Sequence, residues 1–431
     1  MAMYCNQCEQ TAKNIACTVR GVCGKDEDAS SLMDFLVFGL KGIAAYAYHA
    51  RLLGKTDPEV NAFIEEALFK TLTNVDFSHE DLWDTLMRAG MINLKTMQML
   101  DAANTEHYGL PAPTKVRTGT IKGPGILVTG HDLLDLEELL KQTEGTGINI
   151  YTHGEMLPAN AYPELKKYKH LIGNYGSAWQ KQKKEFDEFG GPILVTTNCV
   201  LIPPASYKDR LYTTSVARVP GVKHIEDRKD FSQIIEHAKQ IGDLPERQGP
   251  DMWTGAHHKA VLSLAPQIIE AVKAGKINHF FLVGGCDGAA PGRDYFTQIA
   301  EKIPKDAIIM TLACGKYRFN DKDYGDIDGI PRFLDIGQCN DAYSAIVLAV
   351  ELAKAFDVEV NELPLSIVLS WFEQKALAIA LTLLALGIKD VYIGPTLPAF
   401  VTPNNWKYIQ DNFGWKPTGD PDEDLKEMLG K

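Results

Sequence analysis

Phe280-Phe281-Leu282-Val283-Gly284-Gly285-Cys286 is a short apolar run that stops at a glycine pair and a cysteine. Ala307-Ile-Ile-Met-Thr-Leu-Ala-Cys314 repeats that plan, and Phe333-Leu-Asp-Ile-Gly-Gln-Cys339 follows it again. Runs of this length and composition, separated by amphipathic stretches, predict buried parallel strands alternating with helices. Four more runs of the kind end on a chemically capable side chain. Gly125-Ile-Leu-Val-Thr leads to His131, Ile148-Asn-Ile-Tyr-Thr to Glu155, Pro192-Ile-Leu-Val-Thr-Thr-Asn to Cys199, and Ser366-Ile-Val-Leu-Ser to Glu373. In open α/β sheets the ligand site lies beyond the carboxyl ends of the strands. Seven predicted strand ends therefore deliver four thiols, one imidazole and two carboxylates. One cysteine after a strand is ordinarily a small buried hydrophobe; four of them at successive strand ends point to one metal centre. The mixture also matters. Thiolates favour iron–sulfur chemistry, whereas imidazole and carboxylate suit harder iron with an exchangeable position.

The chain before Gly125 reads differently. Cys5, Cys8, Cys17 and Cys23 follow the spacing C-x2-C-x8-C-x5-C, four thiolates within nineteen residues. Zinc is the competing reading. The unmatched spacing, the lack of a histidine among them, and the need of a second thiolate-rich site for electrons favour iron. Three helices are predicted next: from about Ser30 to Leu53, from a cap at Asp57-Pro58 to about Leu72, and from Ser78, with Asp81 three residues on, towards Ala103. Short connections predict an antiparallel three-helix bundle. Turn-rich stretches at 110–125 and 242–256 read as boundaries. The expected architecture is α/β and multidomain: residues 1–112 hold the cysteines and the helical bundle, and residues 113–250 and 251–431 form two Rossmann-like α/β domains with mainly parallel sheets.

Composition narrows the function. The 431 residues are 45% hydrophobic and 23% charged with a net charge of −12, which argues against a nucleic-acid footprint. No long uninterrupted apolar run predicts a membrane span. The N-terminus lacks the charged-then-apolar layout of a secretory signal, so a cytoplasmic location is expected, where clustered thiols bind metal more often than they pair. Gly284-Gly285-Cys286-Asp287-Gly288 lacks the order of a dinucleotide loop, so no nicotinamide site is expected.

The motifs Thr129-Gly-His131-Asp, His153-Gly-Glu155-Met, Thr197-Asn-Cys199, Val283-Gly-Gly-Cys286-Asp-Gly, Ala313-Cys314-Gly-Lys-Tyr-Arg-Phe-Asn320, Ile336-Gly-Gln-Cys339-Asn-Asp-Ala-Tyr-Ser344 and Ser370-Trp-Phe-Glu373-Gln-Lys375, with the N-terminal spacing, resemble the hybrid-cluster (prismane) proteins, the hydroxylamine reductase family. That resemblance covers nearly the whole chain. It implies a [4Fe-4S] cluster on Cys5, Cys8, Cys17 and Cys23. It also implies a hybrid [4Fe-2O-2S] cluster on His131, Glu155, Cys199, Cys286, Cys314, Cys339 and Glu373, with Cys286 at the persulfide position. The implied reaction is reduction of hydroxylamine to ammonia and water, with electrons from an external redox protein entering through the N-terminal cluster. Glu373, Lys375 and Cys286 are the candidate catalytic residues. Lys375 donates a proton, holds the Glu373 carboxylate, or is an ordinary solvated helix lysine; Asn198 is a candidate donor to the cluster. The 24–130 interval resembles the short form of the family, and Phe372 stands where a tyrosine is common. The glutamates speak against the nickel site of the related carbon monoxide dehydrogenases. Two other functions are compatible: nitric oxide or peroxide reduction or protein S-nitrosylation at the same clusters, and a zinc-stabilised non-enzymatic redox sensor.

Overall fold

The computed structural model describes residues 3–430; Met1-Ala2, the start of the stretch read for a signal, lies outside them. Two compact units form. One takes in the chain up to Ala103 and from Ala349 onward, the other is Asn104–Leu348.

The first unit opens with the cysteine-bearing loop and helices α1 (Glu27–Leu52), α2 (Pro58–Lys70) and α3 (His79–Tyr108). Helix α1 starts three residues before the predicted Ser30, because the Asp26 carboxylate accepts the Ala29 amide at 2.8 Å and caps the turn. Asp57 caps α2 through the amides of Glu59 and Val60, with Pro58 in the first turn, as its sequence predicts. The Ser78 hydroxyl accepts the Asp81 amide at the start of α3. By length and composition α1 is apolar enough to cross a membrane, contrary to the expectation of no such segment, yet 67% of that stretch is buried within the protein.

The second unit, Asn104–Leu348, is built on parallel strands. Strands β1 (Gly125–Thr129), β2 (Asn149–His153), β3 (Leu171–Asn174), β4 (Ile193–Val195), β5 (Leu211–Thr214) and β6 (Lys223–Ile225) form a sheet in the order β3-β2-β1-β4-β5-β6, every pair parallel. That order reverses between β1 and β4, so the loops after these two strands diverge and leave a crevice. His131 follows β1 and Cys199 follows β4. The residues of β1 and β4 are buried throughout, which is why they read as unbroken apolar runs. Strands β7 (His279–Gly285), β8 (Ala307–Thr311) and β9 (Phe333–Asp335) pair in parallel, in the order β9-β8-β7. The two turn-rich stretches read as boundaries pair with each other inside this unit: Thr114–Val116 lies antiparallel to Met252–Thr254, and Gly119–Thr120 to Arg247–Gln248.

After Leu348 the chain returns to the first unit with strands β10 (Leu365–Ser370), β11 (Tyr392–Gly394) and β12 (Lys416–Pro417), again parallel. Helix α4 (Gln374–Ala385) packs into the helical region, so the expected three-helix bundle acquires a fourth member from the far end of the chain. Glycines allow the approach. A Cβ at Gly39 would lie 2.5 Å from the Leu381 side chain, one at Gly42 would lie 2.7 Å from Ala378 Cβ, and one at Gly90 would lie 2.2 Å from the Leu381 carbonyl oxygen. The buried Asn93 amide adds a 2.9 Å hydrogen bond to the Thr382 hydroxyl.

Candidate metal centre

Every predicted strand end holds its residue. His131 comes two residues after β1, and Glu155 lies in a 3-10 turn, Gly154–Ala161, entered from β2. Cys286 follows β7 directly, Cys314 lies in the 3-10 turn Ala313–Arg318 after β8, and Cys339 opens the turn Cys339–Asp341 after β9. Cys199 takes a left-handed backbone conformation (φ 65°), as does Ala313 before Cys314 (φ 62°). Non-glycine residues tolerate that region only when neighbours hold them there, a feature concentrated at functional sites.

The second unit brings His131, Glu155 and Cys339 together: their ligand atoms lie within 4.8 Å of one another, and all three residues are buried. His131 Nδ1 is 2.9 Å from the Thr197 hydroxyl, which also accepts the His131 amide, so Nε2 is the nitrogen that faces Glu155 Oε2 at 3.9 Å. The Cys339 amide donates to Glu155 Oε2 at 3.0 Å, and the Gln338 side chain donates to the Glu155 and His131 carbonyls at 2.7 and 3.3 Å. The loops after β1, β2 and β9 are thereby tied at one point.

The remaining thiols gather on Cys314. Burial pushes its thiol well above the ordinary range, and the charges of Glu155, Cys199 and Cys286 push further in the same direction. A backbone hydrogen bond from the Trp179 amide acts the other way. Several potential anions thus crowd a site in which Cys314, Cys339 and Glu155 are buried and Cys199 and Cys286 half-buried. Such a set is stable only if its protons stay on or cations replace them, which is the condition a metal centre meets.

A short segment organises these thiols from outside. Gln180 Nε2 donates to the Cys286 carbonyl at 3.1 Å, and Gln182 Nε2 donates to the Cys199 carbonyl at 2.5 Å. Gln182 Oε1 also accepts the Leu201 amide, so one side chain holds the loop after β4 at Cys199 and just beyond it. The sequence gives no sign of this role, since Trp179-Gln-Lys-Gln182 reads as the polar start of a surface helix. Thr197 and Gln338 lie in the motifs around Cys199 and Cys339, but their partners, the His131 ring and the Glu155 and His131 carbonyls, are chosen by the fold. Asn198 is exposed and donates to the Cys199 sulfur at 3.3 Å. His153, a residue easily mistaken for a ligand, is fully buried between Thr129 and Glu185 and fastens β2.

Glu373 and Lys375 belong to the first unit. Glu373 caps α4, accepting the Lys375 amide at 3.2 Å. Lys375 is only 3% exposed, with Nζ 3.9 Å from Glu373 Oε1, so the solvated-lysine reading fails. Phe372, in contrast, is exposed. In the N-terminal loop Cys5 and Cys17 face each other in a two-residue antiparallel bridge, with amide-to-carbonyl bonds of 3.1 and 2.8 Å. The amides of Ala12 and Val22 hold the Cys17 thiol below its ordinary range. None of the eight cysteines forms a disulfide.

Comparison with known proteins follows the same lines. The model of the Prismane/CO dehydrogenase family matches residues 3–86 and 78–426. A protein of Moorella thermoacetica named hydroxylamine reductase is 64% identical over 99% of this chain and 100% of its own length. A hydroxylamine reductase of Thermotoga maritima is 54% identical over the full length of both chains. One of Thermodesulfovibrio yellowstonii is 58% identical over 94% of this chain and 75% of that protein. Among solved structures, carbon monoxide dehydrogenase IV from Carboxydothermus hydrogenoformans superimposes with a TM-score of 0.80 at 15% identity, covering 100% of this chain and 92% of that one. At that identity the likeness is one of fold.

Proposed function

The chain belongs to the Prismane/CO dehydrogenase family, and from that premise we propose that it is an iron–sulfur oxidoreductase that reduces hydroxylamine to ammonia and water. The observation that carries the proposal is the group of mixed donors at the strand ends: the buried His131, Glu155, Cys339 and Cys314, with Cys199 and Cys286 beside Cys314. The full-length relatives named hydroxylamine reductase agree with it.

The donor set fits a hybrid [4Fe-2O-2S] cluster. It mixes thiolates with an imidazole and a carboxylate, the mixture that suits iron–sulfur chemistry with an exchangeable position, and His131, Glu155, Cys314 and Cys339 are buried. His131, Glu155, Cys199, Cys286, Cys314 and Cys339 would hold that cluster, with Cys286 as the persulfide position; Glu373 joins the assignment through the Ser370–Lys375 motif. Cys5, Cys8, Cys17 and Cys23 would hold a [4Fe-4S] cluster, and the amide bonds to Cys17 suit a thiolate ligand. When bound, the hybrid cluster supplies redox equivalents and an iron able to polarise an N–O bond.

The reaction consumes two electrons and two protons: the N–O bond breaks, nitrogen leaves as ammonia and oxygen as water. Electrons come from an external redox protein. The protein's own contribution is geometry. Thr197 fixes which nitrogen of His131 faces the centre, and Gln338 locks three loops together. Lys375, with Nζ 3.9 Å from Glu373 Oε1, would hold that carboxylate or lend it a proton. A cytoplasmic location belongs to the same proposal, supported by eight cysteines that form no disulfide. The test is anaerobic turnover with a chemical reductant, measuring ammonia formed per hydroxylamine consumed, alongside iron and zinc content. One ammonia per hydroxylamine and no zinc support the proposal; zinc on the N-terminal cysteines and no turnover overturn it.

A further inference from the structure

Gln180 and Gln182 look alike in sequence and hold neighbouring cysteines, but they are used differently. Gln182 spends both ends of its amide, donating to the Cys199 carbonyl and accepting the Leu201 amide. Gln180 spends one. Its Nε2 donates to the Cys286 carbonyl at 3.1 Å, while its Oε1 is buried with no hydrogen-bond partner among the described residues. The orientation is not interchangeable. A carbonyl only accepts, so the nitrogen must face Cys286, and the oxygen is left as a pure acceptor. Buried acceptors without partners are rare in folded proteins and call for an explanation.

We infer that Gln180 is a substrate-positioning residue, its Oε1 accepting a hydrogen bond from an N–H of hydroxylamine on the Cys286 side of the centre. The inference rests on the hydroxylamine reading above. The chemistry is matched: the substrate is a small neutral amine, and a neutral, pre-oriented amide oxygen recognises its N–H without adding charge near the thiols. The Trp179 amide, one residue earlier, donates to the Cys314 sulfur. Gln180 is thus placed on a segment that other bonds already hold still, as a positioning group requires. Hydrogen-bonding sites reject analogues that lack the matching donor.

The experiment compares hydroxylamine with N,N-dimethylhydroxylamine, which has no N–H, in the iron-loaded native protein and in Gln180→Leu and Gln180→Asn. Methyl groups also add bulk, so the readout is the change in the kcat/KM ratio between the two substrates, not its native value. Loss of one neutral hydrogen bond should lower that ratio by about tenfold in Gln180→Leu, through KM more than kcat, and by less in Gln180→Asn. Iron per chain and the electron paramagnetic resonance spectrum should match those of the native protein. A ratio unchanged in both variants, or loss of iron from both, makes Gln180 a structural prop and overturns the inference. Absence of hydroxylamine turnover by the native protein is a separate result, and sinks the activity itself.

Discussion

Cys5, Cys8, Cys17 and Cys23 lie within nineteen residues, whereas the donor group of the second unit is drawn from positions 131 to 339. The first site is local. One loop with a single antiparallel bridge between Cys5 and Cys17 sets it, and three of its four cysteines are only half-buried. The second exists only because strands far apart in sequence, in two parallel sheets, end in loops that bring their donors together. Its precision comes from bonds between loops, such as Gln338 to His131 and Glu155. A local site is specified by spacing and tolerates change elsewhere. A distributed one is specified by topology and exposes every supporting bond to mutation.

The largest test of that difference removes one ligand from each site. Cys339→Ser should cost the strand-end site its iron and lower hydroxylamine turnover by more than about a hundredfold, since even outer partners of metal ligands are worth ten- to a hundredfold. The iron held by the N-terminal cysteines should remain. Cys17→Ala should do the reverse for iron, emptying the N-terminal site alone. Site-resolved spectroscopy with iron counts decides it; loss of both sites in Cys339→Ser would mean that the two are not independent.

A smaller effect is expected one bond further out. Thr197→Val keeps the volume but removes the hydroxyl that meets His131 at both its ring and its amide. Turnover should fall by roughly ten- to a hundredfold. Thr11, whose hydroxyl bonds to the Cys8 carbonyl in the N-terminal loop rather than to a cysteine side chain, should show a much weaker response to the same change. Equal losses in the two variants would erase the distinction between a spacing-built and a topology-built site.

How far the sequence could be read follows the same line. The strand-end residues were legible because β1, β4, β7 and β8 are buried on both faces and therefore spell unbroken apolar runs before His131, Cys199, Cys286 and Cys314. The N-terminal cysteines were legible from spacing. Gln180 and Gln182 were not, because their role depends on which carbonyl each amide meets, and no local pattern encodes that. Nor was the place of α4: its apolar residues announce a buried helix, but its partner is chosen by Gly39, Gly42 and Gly90, hundreds of positions away. Those glycines give a prediction confined to stability. Gly90→Ala would press a methyl against the Leu381 carbonyl oxygen and should destabilise the first unit by about 1–3 kcal/mol in urea unfolding. The strand-end ligands of the second unit should keep their iron.

A last expected effect is on stability alone and tests the distributed site through pH. Asp135 lies in the first turn of the helix Leu133–Thr143 that follows His131 and is completely buried. Burial and the neighbouring Asp132 carboxylate push its pKa up to about 8, against partial relief from Arg228, 3.2 Å away, and a hydrogen bond from Ser215. An unfolded chain ionises this group near pH 4, while the folded one keeps its proton to about 8, so between those values the native state binds more protons. Stability is therefore lost as pH rises through the window, by at most about 1.4 kcal/mol per pH unit. Asp135→Asn carries no titrating proton, so its stability relative to the native protein should improve steadily from pH 5 to pH 8. Urea midpoints of the two proteins measured at both pH values read this directly. Parallel midpoints would show that Arg228 compensates the charge fully and that Asp135 holds no proton in this range.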